Sequence, residues 1–163
     1  MGQEKVLVSA CLLGEPVRYD GASKGMVSEV LNRWQREERL VMVCPEVAGG
    51  LSVPREPAEI VGGSGADVLR GEARLVTRSG ADVTQAFVEG ANRALEVVQR
   101  ETIRWALLKA RSPSCGSAHI YNGSFEGQLM SGEGVTAALL RAHGVEVFSE
   151  ETIDGLIEAV EAS

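Results

Sequence analysis

Apolar residues along this chain follow two rhythms. Short unbroken runs at residues 5–10 (Lys-Val-Leu-Val-Ser-Ala) and 40–43 (Leu-Val-Met-Val) have the β-branched-rich composition of strands buried on both faces. Between them Val27, Val30, Leu31 and Trp34 recur at helical spacing, ahead of the charged stretch Arg36 to Arg39. This reads as a strand, helix, strand unit, and a right-handed crossover makes its two strands parallel neighbours or near neighbours.

Beyond it, Gly49-Gly50, Pro54, Pro57 and Gly62-Gly63 interrupt any regular element between Ala48 and Gly65, which predicts an irregular excursion over the strand edge. Residues 73–77 add a short strand. Val83, Phe87, Ala91, Ala94, Leu95 and Val98 then predict a long helix to about Arg100, with Asp82 as N-cap and Gln85 completing a capping box. Residues 103–108 read as a third buried strand, followed by the loop Lys109 to Ser117 and a Gly-rich stretch through Gly134. A helix from Val135 to His143, closed by Gly144, leads to a fourth strand at 145–148. Ser149 caps a last helix whose Ile153, Leu156, Ile157 and Val160 face the core. The expected fold is α/β: a three-layer α/β/α arrangement around a mainly parallel, Rossmann-like sheet, as a single domain over residues 1–163.

Size and charge narrow the partners. A chain of 163 residues, 44% hydrophobic, suits one core and is short for two. The net charge of −7, with no basic cluster, argues against a nucleic-acid polymer and for a small-molecule ligand. The amino terminus runs directly into the first strand without a basic stretch and apolar signal region, and no segment approaches the roughly 18–20 apolar residues of a membrane span. A cytoplasmic protein is expected, and an acidic chain without an obvious exposed apolar stripe is compatible with a monomer. The nineteen glycines suit tight loops close to a ligand.

The chain has three cysteines, Cys11, Cys44 and Cys115, and each follows one of the predicted strands. In an open parallel sheet the carboxyl ends of the strands share one edge, where ligands bind. All three thiols are expected in loops on that edge, none on a helix. In a reducing compartment a disulfide framework is not expected, and an odd number leaves one thiol over. Zinc would need a fourth ligand, for which His119 is available, although the close pair common in structural zinc sites is missing. A cubane iron–sulfur cluster held by three thiolates would instead leave one iron open to a further ligand. A cluster-free reading makes Cys115 a nucleophile in a loop after a strand.

Other chemistry stands beside these thiols. Glu46, two residues past Cys44, is a candidate general acid–base, and Ser112 and Ser114 flank Pro113 just before Cys115. Arg18, Tyr19 and Asp20 follow Cys11, where they could contact a substrate or pair with one another. His143 suits a helix C-terminus, and the glycines near Gly62 lack the strand and helix that a phosphate loop needs. The competing function is a non-catalytic metal-binding or redox-sensing module, with a cluster or zinc held by the three cysteines.

Four strings in order carry a more specific signal: Ser9-Ala10-Cys11-Leu12-Leu13-Gly14 with Arg18-Tyr19-Asp20-Gly21; Cys44-Pro45-Glu46 with Gly49-Gly50-Leu51 and Pro54-Arg55; Ser112-Pro113-Ser114-Cys115-Gly116; and Tyr121-Asn122-Gly123-Ser124-Phe125 with Gly132-Glu133-Gly134-Val135-Thr136. Over roughly residues 5–148 the chain resembles the TudS-like thiouracil desulfidase family. The resemblance implies a [4Fe-4S] cluster held by Cys11, Cys44 and Cys115, with the remaining iron left for the sulfur of a thiolated nucleobase. It implies Glu46 and Ser112 as catalytic residues and a non-redox conversion of thiouracil and water to uracil and sulfide. Asn122 stands where the family commonly has aspartate.

Overall fold

Four short parallel strands, β1 (Val6–Ser9), β2 (Leu40–Val43), β5 (Trp105–Leu107) and β8 (Glu146–Phe148), form the central sheet in the order β2-β1-β5-β8. The structure is a computed structural model that describes residues 4–13, 29–51 and 56–162, without the side chains of Cys11, Leu13 and Glu46; Arg18, Tyr19 and Asp20 lie outside the described residues. Between the sheet strands run α1 (Glu29–Arg36), α2 (Pro45–Ala48), β3 (Ala58–Val61), α3 (Gly65–Leu69), β4 (Arg74–Thr77) and α4 (Thr84–Glu101). After β5 come β6 (His119–Tyr121), β7 (Leu129–Ser131) and α5 (Val135–Ala142), and α6 (Ile153–Glu161) closes the chain.

Alternation along the strands produces the three layers. Val6 and Val8 of β1 and Trp105 and Leu107 of β5 pack on Leu31 and Trp34 of α1 and on Leu156 and Val160 of α6. Leu7 and Ala106 point the other way, onto Ala94 and Val98 of α4 and Ala137 and Leu140 of α5. Both faces of β1 are therefore buried, which is why its sequence is an unbroken apolar run. A third cluster, with Ile60, Leu75, Phe87 and Ile120 at its centre, joins the hairpins to α4. Among the described residues, no helix is long and apolar enough to cross a membrane.

The expected α/β architecture with a mainly parallel sheet is observed, and three local expectations are corrected. The stretch between Ala48 and Gly65 is not wholly irregular, because β3 pairs antiparallel with β4 in the register Ile60↔Leu75. Likewise the Gly-rich stretch before Gly134 holds the antiparallel hairpin β6–β7. Strands this short carry too few residues for a periodic signal, and their partners come from tertiary pairing. The N-cap of α4 is Val83, not Asp82: the Asp82 carboxylate accepts the Thr84 N–H at 2.9 Å from outside the helix, so the capping box with Gln85 is not formed. Gly144 does follow α5 with φ +85°, and Ser149 caps a 3-10 turn, Glu150–Thr152, that leads into α6.

Two glycines let backbones meet where side chains would keep them apart. A Cβ on Gly90, inside α4, would overlap the Pro45 carbonyl oxygen, and one on Gly49 would overlap the Ala86 carbonyl oxygen. α2 thus rests backbone-on-backbone against α4, and that contact fixes the segment Cys44-Pro45-Glu46. Helix propensity alone would reward Gly90→Ala by roughly 0.5–1 kcal/mol. The overlap should dominate, lowering stability by about 1–3 kcal/mol in urea unfolding; a stabilised variant would contradict the contact.

Candidate active site

The three cysteines follow three consecutive strands of the sheet. β1 pairs with β2 through Ser9↔Val43, and Cys44 is the next residue after Val43. Beyond Ser9 the chain enters a 3-10 turn, Ala10–Leu13, that contains Cys11. The expectation that none of the cysteines lies on a helical element is therefore corrected for Cys11: β1 ends in a helical turn instead of an open loop. β5 pairs with β1 through Val8↔Leu107, and the loop beyond it reaches Cys115. Because all three strands are parallel, these segments leave from the same edge.

Cys44 is half-buried at the N-cap of α2, where Pro45 occupies the first helical position and needs no N–H partner. Glu46 is the next residue of that short helix, so the carboxylate-bearing backbone is held by the same contact with α4 that fixes Cys44. Cys115 is buried at 5% exposure within a tight turn. There the Ser112 Oγ accepts two backbone hydrogen bonds, from Ser114 N–H at 3.0 Å and Cys115 N–H at 3.1 Å. A hydroxyl oxygen has two acceptor positions and one proton. With both acceptor positions engaged, Ser112 can act toward a ligand only as a donor, and the two amides favour partial negative charge on its oxygen.

The turn is clamped from behind by α5. Val135 N–H donates to Pro113 O at 2.9 Å and Thr136 N–H to Ser114 O at 2.8 Å, so the open amides of the helix start are satisfied by the loop, and the positive end of the helix dipole lies against it. Ser114 and Thr136, both fully buried, share a 2.7 Å hydroxyl contact. A Cβ on Gly134 would overlap the Ser114 backbone. Ser114 is thus a structural anchor, whereas Ser112 is half-buried beside Cys115.

The other candidates are dispersed. His119 is exposed on β6, with the neighbouring Ile120 buried on the opposite face. His143 is the C-cap of α5, with Nδ1 3.0 Å from the Leu139 carbonyl oxygen. Asn122 organises its own loop, accepting from the Ser124 N–H at 3.0 Å.

Glu150 was not recognisable as part of this edge from the patterns around the cysteines. It lies two residues past β8, and applying the strand-edge rule to β8 as well would have found it. Its carboxylate accepts the Ala110 N–H at 2.8 Å and pairs with the Lys109 ammonium at 2.8 Å. Burial pushes this carboxyl up, but the Lys109 hydrogen bond and the amides of Ala110 and Glu150 itself outweigh it and hold the group below the usual range.

Fold and site together define a parallel α/β protein in which three neighbouring strands each lead, from one sheet edge, into a segment that carries a cysteine. Such a donor set fits an iron–sulfur cluster. The model of the family described as 2-thiouracil desulfurase matches residues 6–152, and the chain belongs to this family. A solved structure of a protein named [4Fe-4S]-dependent thiouracil desulfidase TudS superposes with a TM-score of 0.90 at 53% identity, covering 99% of this chain and 100% of that one. The uncharacterized protein YbbK of Bacillus subtilis (strain 168) is 47% identical over 152 residues, which span 93% of this chain and 99% of the relative.

The lowered Glu150 carboxyl has a definite pH signature. Its stabilising contribution is full above the ordinary glutamate value of about 4.3 and is lost as pH falls through the lowered folded value. The stability gap between the parental protein and Glu150→Gln, read from urea midpoints, should be constant near neutrality and close on acidification. A gap that widens toward low pH would contradict this.

Proposed function

We propose that this protein removes sulfur from a thiolated pyrimidine base such as 2-thiouracil, with a [4Fe-4S] cluster that Cys11, Cys44 and Cys115 would hold. The observation that carries this reading is the adjacency of β2, β1 and β5, whose carboxyl ends each lead to one of the cysteines. Its support from known proteins is the family match and the 53% identical desulfidase. The reaction is hydrolytic and leaves oxidation states unchanged: thiouracil and water give uracil and hydrogen sulfide, as a carbon–sulfur bond breaks and a carbon–oxygen bond forms. When bound, the cluster supplies a Lewis-acidic iron without a cysteine ligand, whose affinity for sulfur makes the C=S carbon more electrophilic.

The protein's own groups supply the proton transfers. Glu46, in our reading, is the general base that takes a proton from the attacking water and returns it as the sulfur leaves. Ser112 donates its hydroxyl hydrogen to the base, where negative charge develops on a ring nitrogen or on oxygen during attack. The Ser114 and Cys115 amides that point at its Oγ support this role, because they stabilise the oxygen as its proton shifts toward substrate. The substrate is a small molecule.

Anaerobic incubation with 2-thiouracil should release sulfide and uracil in equal amounts; metal binding without sulfide release from any thiolated base would favour a sensing module instead. Glu46→Ala should keep its iron and lose roughly 10²–10⁴-fold in turnover, the usual range for a general acid–base. Turnover at the parental rate would remove Glu46 from the mechanism.

A further inference from the structure

Successive amides of a central parallel strand point alternately to its two neighbours. Past the end of β5, Leu108 N–H donates to Phe148 O at 2.8 Å, the last residue of β8. Lys109 N–H faces back toward β1, but β1 ends at Ser9 and turns away, and the acceptor is the Ser9 hydroxyl at 3.0 Å. Ala110 N–H faces β8 again, which has also ended, and the acceptor is the Glu150 carboxylate at 2.8 Å. Two side chains thus stand in for backbone carbonyls that the neighbouring strands no longer supply.

The device is closed on itself. The second oxygen of Glu150 takes the Lys109 ammonium at 2.8 Å, and that ammonium also donates to the Ala110 carbonyl oxygen at 2.9 Å. Ser9 is 3% exposed, and the Lys109 and Glu150 side chains are 20% and 23% exposed, so water competes weakly for these bonds. Arg111 then pairs with Glu151 at 3.1 Å, and its backbone bridges to Ile120. Cys11 is two residues beyond Ser9, and Ser112 is two residues beyond Ala110.

We propose that Ser9 and Glu150, with Lys109 holding Glu150, are positioning residues that carry β5 past the last backbone acceptors and set Ser112 and Cys115 relative to the exit of β1. The inference rests on the reading of that edge as the desulfuration site. None of the three residues is assigned contact with substrate. The Arg111–Glu151 pair, about half exposed, contributes little, whereas the essential contacts are the acceptors for Lys109 N–H and Ala110 N–H, whose loss leaves amides unpaired, with the more buried Lys109 ammonium holding the Glu150 acceptor in place. The consequence is local: without these acceptors the segment from Lys109 to Cys115 loosens while the cores on either sheet face remain.

The test reads the local geometry in metal-free protein, where alkylation of each cysteine is followed by mass spectrometry. Glu150→Ala should raise the rate at buried Cys115 relative to Cys44 by about tenfold through local opening. Ser9→Ala should shift the ratio in the same direction, and Glu150→Gln, which keeps an acceptor for Ala110 N–H, should restore most of the protection. Ile60→Val, in the outlying cluster beside the hairpins, is the control for a general loss of stability and should leave the ratio at the parental value. If Glu150→Ala does not fold, Ser9→Ala and Lys109→Met decide. A parental ratio in the folded variants, or an equal rise in the control, overturns the positioning role. In reconstituted protein, Glu150→Ala should lose iron to a chelator faster than the parent. A parent that takes up no iron would overturn the desulfidase reading and the link to a metal centre, whereas an unchanged alkylation ratio overturns the positioning alone.

Discussion

Parallel pairing of β2, β1 and β5 is the constraint on which the site depends. Each strand is only three or four residues long, and the registers Ser9↔Val43 and Val8↔Leu107 hold their carboxyl ends level. Segments widely separated in sequence therefore leave the sheet side by side: Cys11 and Cys44 follow within two residues of β1 and β2, whereas Cys115 comes eight residues after β5, at the end of a loop that must itself be held. Burial of both sheet faces enforces this register, because a slip by one residue would exchange Leu7 for Val6 and Val8 between two differently shaped cores.

What the sheet cannot do is control the chain once the strands have ended, and there the molecule relies on two other means. One is close backbone approach. Gly49 and Gly90 bring α2 against α4 behind Cys44 and Glu46, and Gly134 brings the start of α5 against the Ser112 to Cys115 turn. The other is substitution of side-chain for main-chain acceptors, by Ser9 and Glu150 beyond the ends of the ladders and by Ser112 within its own turn. Both means act through backbone amides and carbonyls, so the site is held by groups whose desolvation makes an unpaired state costly.

The buried strands β1 and β5, the long α4, the helix closed by Gly144 and the placement of the cysteines after strands were legible, because each is written in apolar periodicity or in a residue type with strong local meaning; the apolar run 40–43 does form a strand, but as the edge of the sheet it leaves Met42 49% exposed instead of burying both faces. Ala58–Val61 and His119–Tyr121 were not, since three or four residues beside glycines become strands only when a partner arrives from elsewhere in the fold. Asp82 looked like an N-cap, but the helix starts at Thr84 with Val83 as its N-cap, and the Thr84 hydroxyl is committed to Leu75 N–H at 2.9 Å. Ser112 was visible as a residue next to Cys115, whereas its use as a double acceptor depends on the turn closing. Glu150 carried no signal beyond its place after the last strand, and its significance depends on where β5 runs out of neighbours.

If three neighbouring strands serve one metal centre, each of the three cysteines is needed to hold it. The most direct test is the iron and inorganic sulfide content of anaerobically purified protein, measured for the parent and for Cys11→Ala, Cys44→Ala and Cys115→Ala. The parent should hold about four irons and four sulfides per chain, as for a single cubane, and each variant should lose the cluster. A parent that is folded, active and free of iron, or a full cluster retained after removal of any of these cysteines, would contradict a single shared centre.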